Sequence, residues 1–199
     1  MSLAVRKNPL LRSPDPERLP GAALTVHGTP RAQQKAIKRR EEAVDAIGEL
    51  TPGLERYVLT GGQFSLIDVL TAILQQTGPA HFWLSTWNAE ISDVTELLQL
   101  KESGYLLSLR FLTDRSFRRR RPHIYGQLEK AIGPENIATS RNHAKLAIFI
   151  NEEWSVSLLT SQNLNMNPRA EFFLIREDRG LAEFNRDWAE SIFRNQRKL

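Results

Sequence analysis

His143-Ala144-Lys145-Leu146-Ala147-Ile148-Phe149-Ile150 sets a histidine and a lysine two residues apart at the mouth of an apolar run. Side chains alternate along a strand, so both would point to one face. A polar turn follows at Asn151, Glu152 and Glu153, then a second apolar run from Trp154 to Thr160. That run ends in Ser161-Gln162-Asn163, and Glu171 opens a third run that continues to Ile175. A hairpin with an adjoining strand would gather His143, Lys145, Ser161, Asn163 and Glu171 at one end of a sheet. A nucleophile or base, a cation, a hydroxyl, an amide and a carboxylate together suit chemistry on a phosphate.

These residues resemble the signature of the phospholipase D superfamily, in which H-x-K, four residues and D precede a small-residue turn and S-x-N. His143-x-Lys145 matches the first part. Thr160-Ser161-Gln162-Asn163-Leu164 is similar to the family's Gly-Ser-x-Asn-Leu, and Asn167-Pro168-Arg169-Ala170-Glu171 to the segment that carries its carboxylate. The style of the last segment is similar to bacterial and phage forms. Ile150 stands where the family has Asp, and the hairpin is longer. The resemblance implies an α/β fold: one phospholipase D-like domain with a mixed sheet and helices on both faces. It also implies a metal-independent phosphodiesterase that needs no cofactor. His143 would form a phosphohistidine, and Glu171 would hold its other ring nitrogen. Lys145 and Asn163 would hold the non-bridging oxygens, with Ser161 supporting the pocket. The family takes the proton for the leaving oxygen from a second H-x-K motif. This chain has one such motif, so the resemblance implies a homodimer. The alternative is an inactive phospholipase D-like module that binds DNA or docks onto a larger nucleic-acid machine.

The basic residues indicate the substrate. Between residues 110 and 145 nine cations face three carboxylates, against a net charge of +4 for the whole chain. Such a stretch points to a polyanion, foremost nucleic acid. Arg115, Arg118, Arg119, Arg120, Arg121 and Arg141 are the candidate contacts, DNA being the expected partner, with a solubilising loop as the plain alternative. Arg suits phosphate because its planar fork binds two oxygens at once. The chain has no cysteine, which fits a reducing compartment and excludes disulfides and thiolate chemistry. No apolar run approaches the roughly 18–20 residues of a membrane span. Met1 to Arg12 lacks the apolar core of a signal peptide, so the expected location is cytoplasmic.

The remaining stretches give the element order. Residues 1–30 hold Pro9, Pro14, Pro16, Pro20 and Pro30 and read as an extended arm. A basic helix then runs from Thr29-Pro30 to about Ile47, so we divide the chain into an arm and helix over 1–56 and a domain over 57–199. Tyr57 to Thr60 reads as a short buried strand. Gly61-Gly62-Gln63 reads as a turn, for which phosphate binding is the rarer alternative. Ser65 caps an apolar helix that ends at Thr77-Gly78-Pro79. A strand spans His81 to Trp87, a helix starts at Ser92 or Asp93, and a strand spans Tyr105 to Leu112. Asp114 to Arg121 reads as a basic loop, Pro122 to Ile132 as a helix, and Asn136 to Arg141 as a strand. The hairpin and third run follow, and a helix from Leu181 to about Gln196 closes the order.

Overall fold

The computed structural model describes residues 30–196; the expected proline-rich arm and the Thr29 cap lie outside them. Seven strands and five of the six helices follow the anticipated order, the sixth being a helical turn in the basic loop. Helix α1 spans Pro30–Ile47, strand β1 Glu55–Thr60, α2 Leu66–Thr77, β2 Ala80–Thr86, α3 Ile91–Glu102 and β3 Leu106–Asp114. Then come α4 (Phe117–Arg120), α5 (Pro122–Ile132), β4 (Ile137–Ser140), β5 (Leu146–Ile150), β6 (Ser155–Thr160), β7 (Glu171–Glu177) and α6 (Arg179–Gln196).

Local chemistry sets the boundaries. Asp68 accepts bonds from the backbone N–H (2.8 Å) and hydroxyl (2.7 Å) of Ser65, closing the start of α2. Gly78, at φ 71°, ends α2 by donating its N–H to Leu74 (2.9 Å). Pro122 opens α5, where a missing N–H costs nothing. Leu66 to Leu74 of α2 are all buried, so this helix is central to the core.

The strands form one mixed sheet in the order β1-β7-β6-β5-β2-β3-β4. β2, β3 and β4 are parallel, while β5, β6, β7 and β1 are antiparallel to their neighbours. Helices α1, α2, α3 and α5 pack in succession on one face. There Phe82, Leu84, Phe111, Phe149, Val156, Leu158 and Phe173 meet α2 and its neighbours in one buried core. Ala43 and Ile47 of α1 belong to that core. Helix α6 lies on the other face, where Leu112, Ala138, Trp188, Ile192 and Phe193 cluster.

Three local expectations change. β1 is an edge strand, with Tyr57 and Leu59 exposed on one side and Val58 and Thr60 buried on the other. The basic loop contains a helical turn, α4, because Phe117 is drawn into the core beside Phe111. His143 and Lys145 lie in the segment before β5 rather than on the strand. The cause is Asn142, which is buried. It donates to Ser85 (2.8 Å) and accepts from the Ala144 N–H (3.0 Å), so the backbone there bonds a side chain instead of a ladder partner.

Candidate functional site

The strand register brings the five motif residues to one end of the sheet. Ser85 of β2 lies opposite Leu146 of β5, and Leu146 opposite Leu159 of β6. Thr60 of β1 lies opposite Glu171 of β7. The Thr160 N–H donates to the Lys145 carbonyl (3.0 Å), tying the His143 segment to the Ser161 turn.

Lys145 Nζ donates to the His143 carbonyl (2.8 Å) and lies 3.2 Å from its Nδ1. Burial lowers the lysine's pKa from its ordinary value, and the charge of Glu171 opposes that shift. Both oxygens of Glu171 are occupied: Ser161 Oγ donates to one and Asn167 Nδ2 to the other. Ser161 Oγ in turn accepts from the Phe172 N–H (3.1 Å). The expected bond between Glu171 and the His143 ring does not form among the described residues. Asn163 Oδ1 accepts from the Asn88 N–H (3.2 Å) and faces the Thr86 hydroxyl (3.4 Å). With its oxygen held, the Asn163 amide nitrogen is the group left to donate.

Several supporting groups come from parts of the chain that the motif does not mark. The Trp87 ring packs against His143, with centroids 5.6 Å apart. The Arg120 guanidinium sits 3.9 Å over the same Trp ring and donates to the Trp87 carbonyl (2.8 Å). Arg120, Trp87 and His143 are thus packed in sequence. Asp114 accepts from the N–H and hydroxyl of Ser116 and from the Asn142 N–H. Burial pushes the Asp114 carboxyl up, but the Ser116 and Asn142 bonds and the Arg120 charge outweigh it and hold the pKa below its ordinary value. Trp87 and Asn88 directly follow β2. Residues just past the carboxyl ends of parallel strands are favoured site positions, and that was the available signal for them.

The arginine run divides. Arg121 pairs with Glu90 (2.8 Å), Arg120 holds Trp87, and Arg118 sits 5.1 Å from the Tyr125 ring centroid. Arg115, Arg119 and Arg141 are exposed, and their side chains have no hydrogen-bond partner among the described residues. Ile150, at the position of the family's Asp, pairs with His81 and Ser155 at the opposite end of β5. Five residues at ~3.3 Å each put it about 16 Å from Lys145 along the strand. Among the described residues no group of three or more His, Cys, Asp or Glu is placed to hold a metal ion. No helix among them is long and apolar enough to cross a membrane.

The sequence matches no protein-family model and no curated protein. Solved structures do resemble it. NucT from Helicobacter pylori superposes with a TM-score of 0.52 at 13% identity, covering 71% of this chain and 97% of NucT. Nuc from Salmonella typhimurium, described as a phospholipase D family member, gives 0.51 at 14% identity, covering 71% of this chain and 94% of Nuc. A polyphosphate kinase from Porphyromonas gingivalis gives 0.51 at 13% identity, with 70% of this chain and 26% of the kinase covered. With the sheet order and the converging motif already in place, these superpositions show that the chain has the fold of the phospholipase D superfamily.

Proposed function

We propose that the protein is a metal-independent phosphodiesterase that cleaves nucleic acid through a phosphohistidine at His143. The observation that carries this reading is the convergence of His143, Lys145, Ser161, Asn163 and Glu171 at one end of a phospholipase D-like sheet.

An unprotonated ring nitrogen of His143 attacks phosphorus. An N–P bond forms and the P–O bond to the leaving group breaks. Lys145 and the Asn163 amide nitrogen hold the non-bridging oxygens, where charge accumulates in the transition state. Ser161 and Asn167 fix Glu171, and its carboxylate stands near enough to Lys145 to favour the ammonium form. The departing alkoxide takes a proton from His143 of a second copy, which supplies the general acid. That histidine then deprotonates a water, which attacks phosphorus and releases the first His143. Arg115, Arg119 and Arg141 steer the polyanion, foremost DNA. Residues 57–199 carry the catalytic groups, and helix α1, whose Ala43 and Ile47 enter the same core, belongs to the same folded unit.

The test is cleavage of plasmid DNA and of a small chromogenic phosphodiester in EDTA. We expect wild-type protein to cleave both, and His143→Ala to lose roughly 10³-fold or more while its melting curve is unchanged. DNA binding without cleavage by either protein would instead make the site a phosphate clamp.

A further inference from the structure

Helix α1 carries its charge unevenly. Its first half, residues 31–40, holds Arg31, Lys35, Lys38, Arg39 and Arg40 and no acid, while residues 41–47 hold Glu41, Glu42 and Asp45 and no cation. A free helix favours the reverse, because its dipole is positive at the N-terminus and disfavours cations there. The cations therefore do not serve the helix itself. Arg40 pairs with Glu96 of α3 (2.8 Å) and ties α1 to the helical layer. Lys38 lies 3.9 Å from Glu42, and its side chain is 75% exposed.

The fold sets that half beside the motif site. Gln76, near the end of α2, donates to the Gly48 carbonyl (3.0 Å) and accepts from the Leu50 N–H (2.8 Å), so the two helices end at one level. Val44 and Gly48 share a shallow hollow with Ala72 and Gln76, so the helices run in the same direction. From Gln76 back to Leu66 the axis rises ~15 Å, and the same length back from Gly48 reaches Lys38. The stretch from Pro30 to Ile37 therefore stands roughly 12 Å beyond the start of α2. That start is at the motif end of the sheet. Gly62, just before it, approaches Pro168 so closely that a Cβ would come within 2.7 Å of its backbone. Arg39 Nη1 donates to Met166 Sδ (3.5 Å), in the turn that carries Asn163 and Asn167.

We propose that the N-terminal half of α1 is a second polyanion contact, which grips the phosphate backbone of nucleic acid as it leaves the motif site. The proposal rests on the reading above that the site takes nucleic acid. Arg115, Arg119 and Arg141 lie at the β3–β4 end of the sheet order, whereas Met166, which Arg39 touches, belongs to the turn between β6 and β7. The His143 segment, before β5, falls between the two. A nucleic acid laid across this end thus meets cations on both sides of His143. Roughly 12 Å of duplex presents about four phosphates on one strand. Arg31, Lys35, Lys38 and Arg39 span the same rise along α1. An anionic membrane surface would need an apolar face as well, and on α1 the Ala43 and Ile47 side is buried in the core.

Lys35→Gln with Lys38→Gln removes two charges with little effect on helix formation, since Gln and Lys have similar helix propensities. Titration of a short DNA duplex over a salt series should give a slope of log affinity against log salt that is shallower than wild type by about two. The melting curve should not fall, because the removed charges oppose the dipole. Lys35→Arg with Lys38→Arg keeps both charges and should keep the wild-type slope. An unchanged slope in the Gln variant overturns the proposal. An equal loss in the Arg variant also overturns it, since the effect would then be one of shape rather than charge. Wild-type binding to vesicles of phosphatidylserine and phosphatidylcholine that the Gln variant loses, with DNA binding intact, would give the helix to a membrane surface and overturn it too. The readout is binding, so it is independent of turnover. Wild-type protein that cleaves no diester in EDTA while the slope change persists removes the catalysis and leaves the α1 contact. Cleavage with an unchanged slope removes the α1 contact and leaves the catalysis. Wild-type protein that binds no DNA removes both.

Discussion

His143 is held from three sides: by Asn142 through the backbone, by Lys145, and by Trp87. Trp87 is the least expected of these, because a tryptophan at a strand end usually reads as packing. Its ring is clamped by Arg120 at 3.9 Å, so it gives the imidazole a rigid wall. Trp87→Ala removes the wall and frees Arg120. We expect kcat on the chromogenic diester to fall by about 10²-fold, the cost of roughly an ångström of misplacement at a reacting group. Trp87→Phe keeps a ring in place and should retain most of the rate. Equal rates for all three proteins would show that His143 is positioned without it. Glu171 illustrates the same point differently. Its charge acts on Lys145, while its oxygens are occupied by Ser161 and Asn167.

At the level of elements, α3 carries an unusual acid. Asp93 is 4% exposed near the start of the helix. Burial pushes its carboxyl up to about 6, against a bond from Ser92 that lowers it. The folded chain therefore binds this proton more tightly than the unfolded chain, where Asp titrates at about 3.9. Stability then falls as pH rises from about 4 to about 6, and a cost of about 3 kcal/mol is fully present above that window. Asp93→Asn removes the charge at constant size. It should stabilise the protein by up to about 3 kcal/mol at neutral pH, with the gain gone below pH ~4. Melting curves for both proteins across that range decide the matter, since a gain independent of pH would mean that desolvation of the carboxylate is not the cause. Strand β5 is informative for another reason. It carries Ile150 away from the site, so the missing Asp lies at the far end of the sheet from the motif it would accompany.

At the scale of the whole fold, among the described residues, the exposed arginines 115, 119 and 141 sit toward one edge of the sheet order, and the exposed Tyr57 and Leu59 of β1 at the other. Arg120 and Arg121 belong to neither surface, since they brace the loop after β2. Arg119→Glu with Arg141→Glu should therefore weaken DNA binding and reduce the slope of log affinity against log salt by about two. Arg120→Ala should act mainly on stability, lowering it by about 2 kcal/mol through the lost ring contact and carbonyl bond. Binding titrations over a salt series, paired with denaturant melts, separate the two effects. A change in salt slope from Arg120→Ala alone would return that residue to the binding surface.

The element order was legible because it is written in local chemistry: apolar periodicity, the Ser65 and Pro122 helix starts, and the Gly78 stop. The gathering of the five motif residues at one sheet end was legible from their spacing along a hairpin and its neighbouring strand, whereas the displacement of His143 and Lys145 off β5 was not, because it depends on Asn142 reaching Ser85. What the tertiary structure alone decided depends on residues far apart in the chain. Trp87 meets His143 across 56 positions, and Arg120 reaches Trp87 across 33. Such pairings follow from strand order and register, which no local pattern encodes. The same holds for β1. Tyr57-Val58-Leu59 reads as a buried strand until β7 occupies one side of it and nothing among the described residues occupies the other.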